Sequence, residues 1–162
     1  VRGSEYLNHR PEEKPVNDPI AILKRDHREV AAMLKTLSES KKPSATRRKT
    51  TEKVAKALTL HMEIEENLLY PIVDARIGHE EEQEAETEHK LARTGLAEMV
   101  DLVDEPGFGA AVAMVTAGIR HHVKEEESEL FPTLKKKLNR DELAELGDAV
   151  MAAKKNGARV RA

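Results

Sequence analysis

His61-Met62-Glu63-Ile64-Glu65-Glu66-Asn67-Leu68-Leu69-Tyr70-Pro71 and His122-Val123-Lys124-Glu125-Glu126-Glu127-Ser128-Glu129-Leu130-Phe131-Pro132 are two copies of one pattern. Each has a histidine, a glutamate four residues on, a second glutamate beside it, then an aromatic residue and a proline. Upstream of each copy an acid precedes another histidine, as Asp26-His27 and Glu88-His89. His27 lies 34 residues before His61, and His89 lies 33 before His122. The chain is therefore a duplicated helix pair, with one histidine on the first helix of each pair and His-x-x-x-Glu on the second.

Working outward, Asp18-Pro19 opens a first helix by capping it and placing proline in its first turn. Ile20, Leu23, His27, Val30, Leu34 and Leu37 recur along it at helical spacing. Lys41-Lys42-Pro43 ends that helix and Ser44 caps a second, whose stripe of Val54, Leu58, His61, Glu65, Leu68 and Leu69 is expected to stop before Pro71. A third helix is predicted from Glu80 to Val103, and Asp104-Glu105-Pro106-Gly107 forms a turn. A fourth carries Val112, Val115, Ile119, His122 and Glu126, and is expected to stop before Pro132. Asn139 and Glu142 make a capping-box pair for a short fifth helix ending near Gly157. Long helices joined by short connections predict an all-α, up-down-up-down four-helix bundle. The expected divisions are an arm over 1–17, the bundle over 18–138, the C-terminal helix over 139–157 and a tail over 158–162.

Composition excludes several classes. Without cysteine there are no disulfides, thiolate metal sites or Cys nucleophiles. The only aromatic residues are Tyr6, Tyr70, Phe108 and Phe131, so the core rests on aliphatic side chains. A net charge of −3 with mixed signs leaves no footprint for nucleic acid or an acidic membrane. No apolar run reaches the roughly 18 residues of a membrane span and no secretory leader is evident, so a cytoplasmic protein is expected.

Residues four apart share a helix face, so His61 with Glu65, and His122 with Glu126, point at the bundle interior. Carboxylates there need a compensating cation. Two-fold symmetry puts His27 and His61 on one metal and His89 and His122 on another, with Glu65 and Glu126 bridging. Imidazole with bridging carboxylate favours iron, with manganese or zinc behind it. Two non-haem irons with an oxo or hydroxo bridge would retain positions for an exogenous molecule.

The order H…HxxxE…H…HxxxE resembles the hemerythrin-like, or HHE cation-binding, family over about residues 18–138. That resemblance implies a four-helix bundle with a di-iron centre and reactions with dioxygen, peroxide or nitric oxide in stress defence. It also admits an oxygen, iron or redox sensor without turnover. The oxygen-carrying members have a further histidine where this chain has Ala85, which points away from oxygen carriage. The remaining histidines are weaker candidates: His9 in the arm, His79 in a turn, and His121, which the repeat aligns with Leu60 while His122 aligns with His61. Glu66, Glu127, Asp26 and Glu88 are read as solvated or as orienting the imidazoles, and Tyr70 and Phe131 as packing. The expected partners are a small diatomic or peroxide ligand; a homodimer or a signalling partner is also compatible.

Overall fold

The computed structural model describes residues 17–160. His9 and the rest of the expected arm before Asn17, and the tail's last two residues, lie outside the described residues. Five helices and no strands are present among the described residues. Helix α1 spans Pro19–Ser38, with the Asp18 carboxylate accepting from the Ile20 and Ala21 amides. Helix α2 begins at Ala45, where the Ser44 hydroxyl accepts from the Arg47 amide. Helix α3 spans His79–Asp101. Helix α4 begins at Phe108, and α5 spans Arg140–Val160. At the start of α5 the capping box is closed on both sides, Asn139 N–H to Glu142 and Glu142 N–H to Asn139, each at 2.9 Å.

The two prolines do not end their helices. Helix α2 runs as α-helix over Ala45–Ile64, widens into a π-turn over Glu65–Leu69, and resumes over Tyr70–Arg76. Helix α4 repeats this with Phe108–Glu125, Glu126–Leu130 and Phe131–Lys137. Proline within a helix removes an N–H and crowds the carbonyl four residues back. In a π-turn the hydrogen bonds reach five residues back instead, and each proline then falls in the first turn of the resumed α-helix. The duplicated proline thus marks a widened turn and not a terminus.

Helices α1 to α4 form a closed ring in which each packs on the next and α4 returns to α1. The order of the core along them reveals the up-down-up-down course. On α1 one apolar cluster (Ile20, Leu23) precedes His27 and a second (Val30, Leu34, Leu37) follows it. On α2 the order reverses, with Val54 and Leu58 before His61 and Tyr70 and Val73 after Glu65. The polar layer of histidines and glutamates therefore sits between two apolar clusters. Its four helices reach it from alternating directions.

Helix α5 lies against α1 and α2, burying Leu146 and Val150 in the cluster that holds Tyr70 and Phe131. It passes the expected stop at Gly157 and continues to Val160. Two glycines let it approach closely. A Cβ on Gly157 would meet Leu60 Cδ1 at 2.3 Å, and one on Gly147 would meet the Asn17 carbonyl oxygen at 1.7 Å. Gly147→Ala must therefore push α5 from the chain entering α1. It should lower unfolding free energy by about 1–3 kcal/mol, the usual cost of overpacking. Urea unfolding of the metal-free chain measures this, and an unchanged midpoint would show that Asn17 yields freely.

Candidate metal centre

The polar layer contains all six residues singled out by the repeat, and each is buried: His27 5%, His61 3%, Glu65 0%, His89 1%, His122 5% and Glu126 2% exposed. The imidazoles meet in pairs through their Nε2 atoms. His27 and His61 lie 3.1 Å apart, and His89 and His122 lie 3.2 Å apart. Each glutamate touches both pairs. Glu65 Oε1 is 3.0 Å from His61 and its Oε2 is 3.2 Å from His89. Glu126 Oε2 is 3.2 Å from His27 and 3.5 Å from His122. Ligand atoms of His27, His61, Glu65 and Glu126 lie within 4.8 Å of one another, as do those of Glu65, His89 and His122.

A second ring of carboxylates fixes which nitrogen faces inward. His27 Nδ1 meets Glu127 at 2.8 Å, His61 Nδ1 meets Asp26 at 3.4 Å, His89 Nδ1 meets Glu66 at 2.9 Å and His122 Nδ1 meets Glu88 at 2.6 Å. Each pair joins neighbouring helices, so the contacts run α4 to α1, α1 to α2, α2 to α3 and α3 to α4. A carboxylate that accepts from Nδ1–H leaves the Nε2 lone pair aimed at the centre. Of the two roles read from the sequence for these four acids, orientation matches the geometry. Two of them are themselves anchored by cations. Glu66 takes both ends of the Arg93 guanidinium at 2.7 and 2.8 Å, and Asp26 binds Lys154 of α5 through both oxygens.

Protonation follows from this crowding. Burial alone would lower the His61 pKa, but Glu65, Asp26 and Glu126 outweigh it and raise it to about 10. His122 is likewise raised to about 11, since Glu126, Glu65 and Glu88 overcome its burial. Glu65 is held well below its ordinary value: burial opposes ionisation, but His61, His122 and His89 prevail. In the absence of another cation, protons on His61 and His122 balance the buried carboxylates.

Tyr70 packs in the core as expected and also reaches the polar layer. Its hydroxyl lies 3.0 Å from His89 Nε2 and 3.5 Å from Glu126 Oε1. In an unbroken α-helix Leu69 would follow His61 and Glu65 on the inward face. The π-turn returns one residue later, with the Tyr70 amide bonding the Glu65 carbonyl, so Tyr70 takes that place. The duplicated turn puts Phe131 above Glu126 in the same way, and its ring stacks on His27 at 5.9 Å and 6°. One half of the centre thus receives a hydroxyl and the other an apolar ring. The available signal was the aromatic-proline pair repeated after both motifs.

His121 and His79 fall outside the layer. The His121 side chain is 61% exposed, paired with Glu88 and Glu125, and His79 pairs with Asp74 at the surface. Several cavities border the layer. A cavity of about 430 Å³ with mainly apolar walls, among them Leu58, Met62, Val115 and Ile119, reaches His27, His61, His89 and His122. A cleft of about 250 Å³ bordered by Ala85 reaches His122 and Glu126.

Among the described residues no helix is long and apolar enough to cross a membrane. The chain is similar to a DNA nickase of Nostoc sp. (strain PCC 7120 / SAG 25.82 / UTEX 2576), at 27% identity over 135 residues. The match covers 82% of this chain but only 38% of the nickase, so the chain spans well under half of that relative's length. Residues 18–134 match the Hemerythrin HHE cation binding domain, the stretch that contains all six inward-facing residues. The chain therefore belongs to the hemerythrin HHE cation-binding family.

Proposed function

We propose that the buried layer holds two iron ions and that this di-iron protein consumes hydrogen peroxide, as part of oxidative or nitrosative stress defence. His27 and His61 would hold one ion and His89 and His122 the other, with Glu65 and Glu126 shared. The observation that carries the reading is the pairing of Nε2 atoms at 3.1 and 3.2 Å around two buried carboxylates. Both Glu65 oxygens and Glu126 Oε2 are buried without a hydrogen bond. Buried polar atoms of this kind are costly unless partnered, and cations between the facing imidazoles supply that partner. The donor set of imidazole and shared carboxylate suits iron.

Bound iron would supply the electron transfer needed to convert two peroxide molecules into two waters and one dioxygen. The protein's own part is positional. The outer carboxylates hold each imidazole in one orientation, and Phe131 keeps the His27 side apolar. Tyr70 holds a proton beside His89, since burial and the nearby glutamates raise its pKa. The apolar cavity admits a small neutral molecule to the histidine rings.

Metal analysis of the purified chain should give two irons per chain. The loaded protein should release dioxygen from hydrogen peroxide, and His61→Ala and His122→Ala should each lose that turnover. Fewer than two metals per chain would remove the dinuclear reading. Two irons without turnover would remove the enzyme and favour a binding or sensing protein. One observation supports that second reading: Lys154 of α5, beyond the matched region, contacts the Asp26 that orients His61. A sensor should then show changed hydrogen-exchange protection in α5 on ligand binding.

A further inference from the structure

We propose that the cleft between α3 and α4 is the route by which divalent metal ions enter the centre; the inference rests on the two-metal reading above. The cleft, about 250 Å³, is bordered by Glu81, Glu84 and Glu88 from α3 and by Glu125 and Glu129 from α4. Among the described residues no lysine or arginine borders it. Glu126 and His122 also line it, and they are 2% and 5% exposed. Glu126 Oε2 has no hydrogen bond there, so the path ends on a buried acceptor.

Helical spacing accounts for the walls. Glu81, Glu84 and Glu88 recur at three and four residues, and Glu125 and Glu129 stand four apart, so each set forms one ridge on its helix. Like charges on facing ridges repel one another, which is a cost that a passing cation offsets. Ala85 stands between Glu81 and Glu88, and its small side chain leaves the space between the ridges open. Glu88 and Glu125 of the cleft converge with the exposed His121, their ligand atoms within 4.8 Å of one another. A hydrated cation would land there, exchange water for carboxylate, and pass to Glu126. The neighbouring larger cavity shares Glu88 and His122 with the cleft but is walled mainly by apolar side chains.

The test is the rate at which the metal-free full chain takes up cobalt(II) or, anaerobically, iron(II), followed by absorbance in a stopped-flow instrument at low salt. Glu81→Gln, Glu84→Gln and Glu129→Gln combined should slow uptake roughly tenfold, within the range of charge steering. Two ions per chain should still be bound at the end. The control combines Glu39→Gln, Glu52→Gln and Glu98→Gln, exposed residues elsewhere on the surface. Both triple variants carry the same net charge, so a local cleft effect separates from a global one. Added salt should reduce the difference between the cleft variant and the wild type. An unchanged rate in the cleft variant, or equal slowing in the control, overturns the route while the two-metal reading stands. A wild-type chain that takes up no metal overturns both.

Discussion

Glu65→Gln is expected to leave at most one tightly held metal ion per chain and to abolish peroxide turnover. Glu65 is fully buried, and its two oxygens contact a histidine of each pair, at 3.0 Å to His61 and 3.2 Å to His89. Glutamine keeps the shape but removes the negative charge. Unit charges 4 Å apart interact by about 4 kcal/mol at an effective dielectric of 20. Removing one anion from beside a dication should therefore weaken binding about a thousandfold or more. Where the amide presents its N–H group towards a metal ion, the contact is repulsive. Equilibrium competition against a chelator, with metal content per chain, measures the effect. Retention of two ions at wild-type affinity would mean that Glu65 is not shared between them.

The metal-free chain should lose stability as pH rises from about 6.5 towards 10 and 11. Folding raises the pKa of His61 to about 10 and that of His122 to about 11, from an ordinary 6.5. The folded state thus binds protons that the unfolded state has already released. Their contribution is fully present below 6.5 and disappears as pH passes the folded values. Glu65 acts in the opposite direction: its lowered pKa contributes above the ordinary value of 4.5 and is lost as acid protonates it. Metal reverses the alkaline limb, because it binds imidazoles that have shed their protons. Loading near pH 7.5 should accordingly release protons, visible with an indicator in weak buffer. The gap between free and loaded unfolding midpoints should widen from pH 7 to 10. A metal-free midpoint that is flat across that range would show that His61 and His122 are not held as cations by the glutamates.

Much of this architecture was legible because its signals are local. Asp18-Pro19, Ser44 and the Asn139–Glu142 box act within three residues of themselves, and each caps the helix it was expected to cap. The i and i+4 spacing of His61 with Glu65 and of His122 with Glu126 depends only on helix geometry. The duplication then pairs the halves, and the alignment that set His122 above His121 agrees with their burial and exposure. Ranges were less secure where a breaker residue had a tertiary answer. Pro71, Pro132 and Gly157 each lie within a helix. The prolines are absorbed by widened turns and Gly157 by close contact with Leu60.

The sequence by itself determined an all-helical duplicated bundle and the six residues whose spacing turns them inward, since periodicity and repeat are properties of the chain alone. Tertiary structure decided three further matters. It showed that Tyr70 enters the layer, because the π-turn adds one residue to the helical repeat and rotates the aromatic onto the face of Glu65. It paired Asp26, Glu66, Glu88 and Glu127 with particular imidazoles on neighbouring helices, contacts whose partners are 23 to 100 residues apart. It also brought Lys154 to Asp26 across 128 residues of chain. Such contacts depend on how the helices pack, and local spacing carries no information about that.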